Sequence, residues 1–135
     1  MKVVILAGGY GSRISEYTKL IPKPMIKINK LPIIKHIMNI YKKHNFNQFI
    51  IATGYKGKII ESYFKNSNLK VNCVYTGKDV MTGGRLKKLE NYVDDTFFLT
   101  YGDGLSNVNI KKLLTFHNKN KKICTVTAVR PPARF

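Results

Sequence analysis

The run Val3-Val4-Ile5-Leu6-Ala7, passing directly into Gly8-Gly9-Tyr10-Gly11-Ser12-Arg13, constrains this chain more than any other feature. Five apolar residues without polar alternation describe a strand covered on both faces, the kind found in parallel sheets. The glycines that follow allow a sharp turn whose backbone N–H groups can face an anion. Glycines alone would serve a plain strand-to-helix turn equally well, so the weight rests on two cations, Arg13 and the Lys23 of Pro22-Lys23-Pro24-Met25. Together these describe a triphosphate cradle. It is not the dinucleotide fingerprint, because Ile14 occupies the place of the third glycine, nor a Walker A loop, which needs Lys and then Ser or Thr after its last glycine, where this chain has Ser12 and Arg13.

Strand-like and helix-like segments alternate along the rest of the chain. β-Branched and aromatic runs predict strands at about 2–7, 49–53, 71–75, 97–101 and 123–129. Helical spacing predicts helices at about 32–44, 57–64, 84–93 and 110–118, with Pro32 suited to a first turn and Asn109 placed as a cap. This alternation implies an α/β fold, a Rossmann-like, mostly parallel sheet with helices on both faces, whose ligands gather at the carboxyl ends of the strands. The chain stops at Arg130-Pro131-Pro132-Ala133-Arg134-Phe135, just past the last expected strand, so the sheet is expected to be truncated at its carboxyl end.

With 135 residues the chain has room for one domain. No apolar run approaches the roughly 20 residues of a membrane helix, and Val3 to Ala7 is too short for a signal peptide, which gives the expectation of a cytoplasmic protein with no membrane partner. Cys73 and Cys124 lack the spacing of a metal site or a disulfide framework and are expected to be reduced thiols, while His36, His44 and His117 are expected on solvated helix faces. The net charge of +17 raises the question of nucleic acid. Of 24 basic residues only four are arginine, the lysines are spread over every helix, and no recognition motif or basic-aromatic interleaving is present, so no specific nucleic-acid partner is expected. Non-specific adhesion to polyanions at low salt still follows from the charge.

Thr100-Tyr101-Gly102-Asp103-Gly104 places an aspartate at a strand's carboxyl end, where a hard carboxylate oxygen suits Mg²⁺ held jointly with substrate phosphates. Taken alone it reads as an ordinary Asp-Gly turn, and the triphosphate loop tips it towards a metal site. In Val80-Met81-Thr82-Gly83-Gly84-Arg85-Leu86-Lys87 the two glycines permit close backbone approach to a flat ligand, and Arg85 adds a fixed cation at a helix start.

The glycine loop ending in Gly11-Ser12-Arg13, followed by Pro22-Lys23-Pro24, resembles the signature of the sugar-1-phosphate nucleotidyltransferases. Met81-Thr82-Gly83-Gly84-Arg85-Leu86-Lys87, Thr100-Tyr101-Gly102-Asp103-Gly104, Pro131-Pro132-Ala133-Arg134-Phe135, Gly54-Tyr55-Lys56-Gly57 and His36-Ile37-Met38 look most like the glucose-1-phosphate cytidylyltransferase branch. The resemblance covers residues 1–135 as the amino-terminal, nucleotide-binding part of such a domain. It implies that Leu6, Ala7, Gly8, Gly9 and Tyr10 line base and ribose, that Gly11, Ser12 and Arg13 hold the triphosphate, and that Lys23 bridges phosphates. Val80 and Arg85 would complete the cytidine side, Gly102 would lie at the nucleotide, and Asp103 would bind Mg²⁺. Arg13, Lys23 and Asp103 would then carry catalysis, transferring a cytidylyl group from CTP to glucose 1-phosphate to give CDP-glucose and pyrophosphate.

Ser12 stands where the family has threonine, keeping the hydroxyl. The family's long insertion is here only Lys65 to Lys70, which bears on the homo-oligomer that the family would imply. The family's second metal aspartate and most sugar contacts belong to a carboxyl-terminal part beyond this sequence, so the chain alone is expected to make little or no CDP-glucose. The alternatives are a nucleotidyltransferase of different base or sugar specificity, or a non-catalytic nucleotide- or polyanion-binding fragment.

Overall fold

In the computed structural model, which describes residues 1–12 and 15–130 and leaves the Ser15 and Tyr17 side chains undescribed, secondary structure follows the predicted alternation closely. In chain order the elements are β1 (Val3–Ala7), α1 (Ser15–Thr18), β2 (Lys27–Ile28), β3 (Leu31–Pro32), α2 (Ile33–Lys42), β4 (Gln48–Thr53), α3 (Gly57–Lys65), β5 (Lys70–Tyr75), α4 (Thr82–Lys87), β6 (Phe98–Tyr101) and α5 (Ile110–Asn120). Short 3₁₀ turns lie at Lys23–Met25 and Glu90–Tyr92. Four strands form one sheet in the order β5-β4-β1-β6. Every pairing in it is parallel, with Ile5 opposite Ile51 on one side and Thr100 on the other.

β1 is the pivot of this arrangement. All five of its residues are buried, as its unbroken apolar run requires of a central strand flanked on two sides and covered on two faces. One face packs Val3, Ile5, Phe49, Ile51 and Phe98 under Ile34, Ile37, Met38 and Tyr41 of α2, Ile60 and Phe64 of α3, and Ile110 of α5. The opposite face packs Val4, Leu6, Ile50 and Ala52 against Leu89, which follows α4. Each buried Val, Leu or Ile here contributes roughly 1.5–3 kcal/mol of transfer free energy. α2 turns Ile34, Ile37, Met38 and Tyr41 inward at i, i+3, i+4, i+7, while Ile33 and Ile40 are only partly buried. Asn109 caps α5 by accepting a hydrogen bond from the Lys112 N–H at 3.0 Å.

The structure corrects several expectations. Residues 123–129 form no strand: Ile123, Val126 and Val129 are fully or largely exposed, since no described strand pairs with them. The helix expected over 84–93 begins earlier and is shorter; α4 ends at Lys87, and a 3₁₀ turn follows Leu89. The β2–β3 hairpin was not expected; Asn29 and Lys30 both take positive φ, as a two-residue primed turn demands. Two of the three histidines make specific contacts rather than being simply solvated. His36 Nε2 donates to the Ile28 carbonyl at 2.8 Å, tying this hairpin to α2, and His117 Nδ1 lies 2.9 Å from Thr125 Oγ1.

Candidate functional site

The strand order reverses at β1: β4 and β5 extend the sheet on one side and β6 on the other. At such a switch point the loops leaving adjacent strands diverge, opening a crevice at their carboxyl ends. The loops leaving β1 and β6 carry the glycine run and Gly102-Asp103, so topology alone brings together two segments that the sequence singled out separately. Arg13 and the Pro131 to Phe135 segment lie outside the described residues.

On one side of the crevice Gly102 is buried, and its N–H donates to the Leu6 carbonyl at 2.8 Å. A side chain at Gly102 would meet Pro24 Cγ at 2.8 Å, so the glycine lets the Pro22 to Met25 turn lie directly against the end of β6. That packing delivers Lys23 to Asp103, and the ammonium and carboxylate form an ion pair. Gly11 stands against the same turn: its φ is +66°, and an added Cβ would lie 2.8 Å from Thr18 Cγ2 and 3.3 Å from Lys23 Cβ. Gly11, Lys23, Gly102 and Asp103 are therefore one cluster, with Ser12 exposed beside it.

On the other side lies Arg85. It is 5% exposed, and its Nη atoms donate to the carbonyls of Gly8 at 2.9 Å, Gly77 at 2.6 Å, Lys78 at 2.9 Å and Thr53 at 3.5 Å, and to Thr76 Oγ1 at 2.8 Å. Burial pushes the guanidinium's pKa down, while the neighbouring Tyr75, Asp79 and Tyr10 push it up. A guanidinium keeps its proton throughout the ordinary range, so a cation is held here by carbonyl dipoles. Its bulk also explains Gly8, where a Cβ would fall 2.2 Å from Nη1. Gly9, by contrast, has nothing within 4 Å of a notional Cβ and faces open space.

Sequence reasoning missed the link between these two loops. The Tyr10 hydroxyl donates to Asp79 Oδ1 at 2.7 Å, a bond that raises the phenol's pKa, and the Tyr10 ring packs against Tyr55 with centroids 5.0 Å apart. Lys56 holds the Tyr55 ring and reaches the Thr18 and Lys19 carbonyls. No local pattern marks Asp79 in the sequence, because its partner is 69 residues away. Val80 fills the space beside Gly77 and Gly84.

Among the described residues no group of three or more His, Cys, Asp or Glu could hold a metal ion. Asp103 can serve a hard cation together with phosphate oxygens and water, a coordination that Mg²⁺ commonly takes with nucleotides. Among the described residues no helix is long and apolar enough to cross a membrane. Two surface grooves, one along Lys58 to Cys73 and one along Lys2, Gln48 and Lys70, lie away from this crevice.

Several known proteins are similar to this chain. Over 161 aligned positions the chain is 43% identical to a glucose-1-phosphate cytidylyltransferase of Salmonella typhimurium, covering all of this chain and 63% of that protein. It is 32% identical over 126 positions to a D-glycero-alpha-D-manno-heptose 1-phosphate guanylyltransferase of Campylobacter jejuni, covering 92% of this chain and 56% of that one. The crystal structure of HddC from Yersinia pseudotuberculosis complexed with GMP-PN superposes with a TM-score of 0.73 at 30% identity, covering 86% of this chain and 53% of that one. The chain thus spans less than two thirds of the length of the curated relatives it matches. The alignment to the Salmonella protein exceeds this chain's 135 residues by 26 positions, in keeping with a shortened segment. The sequence profile of nucleotidyl transferases matches residues 2–135, and the chain belongs to that family.

Proposed function

We propose that this chain is the nucleotide-binding part of a glucose-1-phosphate cytidylyltransferase, which transfers a cytidylyl group from CTP to glucose 1-phosphate and releases pyrophosphate. The observation that carries the reading is the convergence of Gly11, Lys23, Gly102 and Asp103 at the β1–β6 switch point, in a chain 43% identical to a cytidylyltransferase. The nucleoside lies along residues 6–10 and the main chain of Val80, with Arg85 completing that wall. Gly11, Ser12 and Arg13 hold the triphosphate, Lys23 spans phosphates, and Gly102 lets the nucleotide approach the end of β6.

The sugar phosphate oxygen attacks the α-phosphorus in line with the departing pyrophosphate, so the protein supplies position and charge and no nucleophile. Asp103 would hold Mg²⁺, which when bound offsets charge on the phosphates. Lys23 and Arg13 offset the charge that develops on the leaving group, where loss of one such stabiliser costs about 3 kcal/mol. The enzyme reading places the protein in the cytoplasm, where CTP is found.

Calorimetric titration with CTP, UTP, dTTP and GTP, each with Mg²⁺, tests this reading. CTP is expected to bind at least tenfold more tightly than the purine nucleotide, and equal affinities would remove the cytidylyl assignment. The net charge of +17 favours one competing reading, a polyanion binder. It predicts equal affinity for all four nucleotides and a steep loss with salt.

A further inference from the structure

We infer that Arg85, besides completing the cytidine side, is a positioning residue: it sets the orientation of the Gly8–Gly9 and Lys78–Asp79 peptide groups, so that two main-chain N–H donors are preset for the nucleoside. The inference rests on the cytidylyltransferase reading for the identity of the ligand.

In a trans peptide the C=O of one residue and the N–H of the next point in opposite directions. The Gly8 carbonyl is fixed from two sides, by Arg85 Nη2 at 2.9 Å and by the Tyr55 N–H at 3.1 Å, so the Gly9 N–H points away from the guanidinium. Gly9 independently faces open space, since among the described residues a notional Cβ there meets nothing within 4 Å. Arg85 Nη2 also takes the Lys78 carbonyl at 2.9 Å, which turns the Asp79 N–H away in the same manner. No described hydrogen bond uses either N–H.

The two loops that carry these donors are joined by the Tyr10–Asp79 bond, so the donors belong to one wall. Arg85 makes five hydrogen bonds within the protein, four of them to carbonyls, and forms no ion pair with a carboxylate among the described residues. A lysine keeps the charge but lacks the planar fork of donors needed to hold carbonyls from three strand ends. Backbone donors held rigid in the free protein lose little entropy on binding, which is how the carbonyl bonds of Arg85 add to affinity.

The test uses the whole chain, with Arg85→Lys and the milder Thr76→Val, which removes one of the five partners. Binding of CTP with Mg²⁺ is compared with binding of inorganic tripolyphosphate, and amide exchange of Gly9 and Asp79 is followed in the free proteins. The expected result is a loss of CTP affinity of at least tenfold in Arg85→Lys and about threefold in Thr76→Val, with tripolyphosphate binding unchanged and faster exchange at both amides. CTP binding at parental strength in either folded variant overturns the inference, as does an equal loss of tripolyphosphate binding, which would signify direct contact with phosphate. Should Arg85→Lys fail to fold, Thr76→Val decides by the same criteria. Should the parent bind no CTP, the cytidylyl reading fails on its own, and the Gly9 and Asp79 exchange rates still decide whether Arg85 presets the wall: unchanged rates in the variants overturn it.

Discussion

The Lys23 ammonium and the Asp103 carboxylate form an ion pair across the β1–β6 crevice, each side chain about one-third exposed. A pair this accessible to water contributes at most about 1 kcal/mol to stability. On the proposed roles, the residue that bridges phosphates and the residue that holds a metal neutralise one another in the free protein.

Asp103→Asn should therefore leave thermal unfolding within about 1 kcal/mol of the parent while removing the gain in nucleotide affinity that Mg²⁺ provides. Paired calorimetric titrations with and without Mg²⁺ measure this. A variant that keeps the full Mg²⁺-dependent gain would remove Asp103 from the metal site.

Lys23→Ala and Arg13→Ala should each weaken CTP binding at least severalfold, because both cations are assigned to the triphosphate. Unchanged affinity in both variants would contradict the cradle.

Gly8→Ala and Gly9→Ala should separate structure from function. At Gly8 the new methyl would collide with a guanidinium that five hydrogen bonds hold in place, and displacing it should cost about 1–3 kcal/mol. At Gly9 nothing lies within 4 Å, so stability should be nearly unchanged and only nucleotide affinity should fall. Denaturant unfolding of the two variants compares them directly.

Much of this was legible in the sequence because the relevant signals are local. The apolar run of β1, the stripe of α2 and the Asn109 cap each declare themselves within a few residues. The segment 123–129 misled because β-branched residues describe a side chain suited to a half-buried pleated surface, and no described neighbour supplies that surface. Lys23 and Asp103 could be named as site residues, but their pairing depends on Pro24 packing against Gly102, a tertiary contact. Arg85 was noticed as a cation at a helix start, whereas its carbonyl partners extend to Gly8, 77 residues earlier, which no spacing rule reaches. Asp79 and Tyr55 were not placed at the site for the same reason.

Tyr10→Phe and Asp79→Asn should each lower CTP affinity a few-fold with little effect on folding, since the bond they share is exposed. A double-mutant cycle should give a coupling of about 0.5–1 kcal/mol in nucleotide binding. Strict additivity would show that the Tyr10–Asp79 link does not shape the wall.

The two cysteines should differ in reactivity. Burial, with a smaller effect from Glu61, pushes the half-buried Cys73 thiol up to about 11, while Cys124 is exposed. At pH 8 only about one Cys73 thiol in a thousand is the reactive thiolate, so iodoacetamide should label Cys124 first and leave Cys73 largely intact. Because the folded value is raised above the ordinary 9.0, the stability linked to Cys73 is fully present below pH 9 and is lost as pH rises towards 11. Mass-spectrometric mapping after brief alkylation gives the order, and preferential labelling of Cys73 would contradict it.

The central claim, that the crevice between β1 and β6 is the nucleotide site, is tested most directly by following backbone amide resonances of the isotopically labelled chain during titration with CTP and Mg²⁺. The account predicts saturable shifts concentrated at residues 6–12, 23, 78–85 and 102–104. Shifts scattered over the lysine-bearing helix surfaces, or centred on the Lys58 to Cys73 groove, would contradict it.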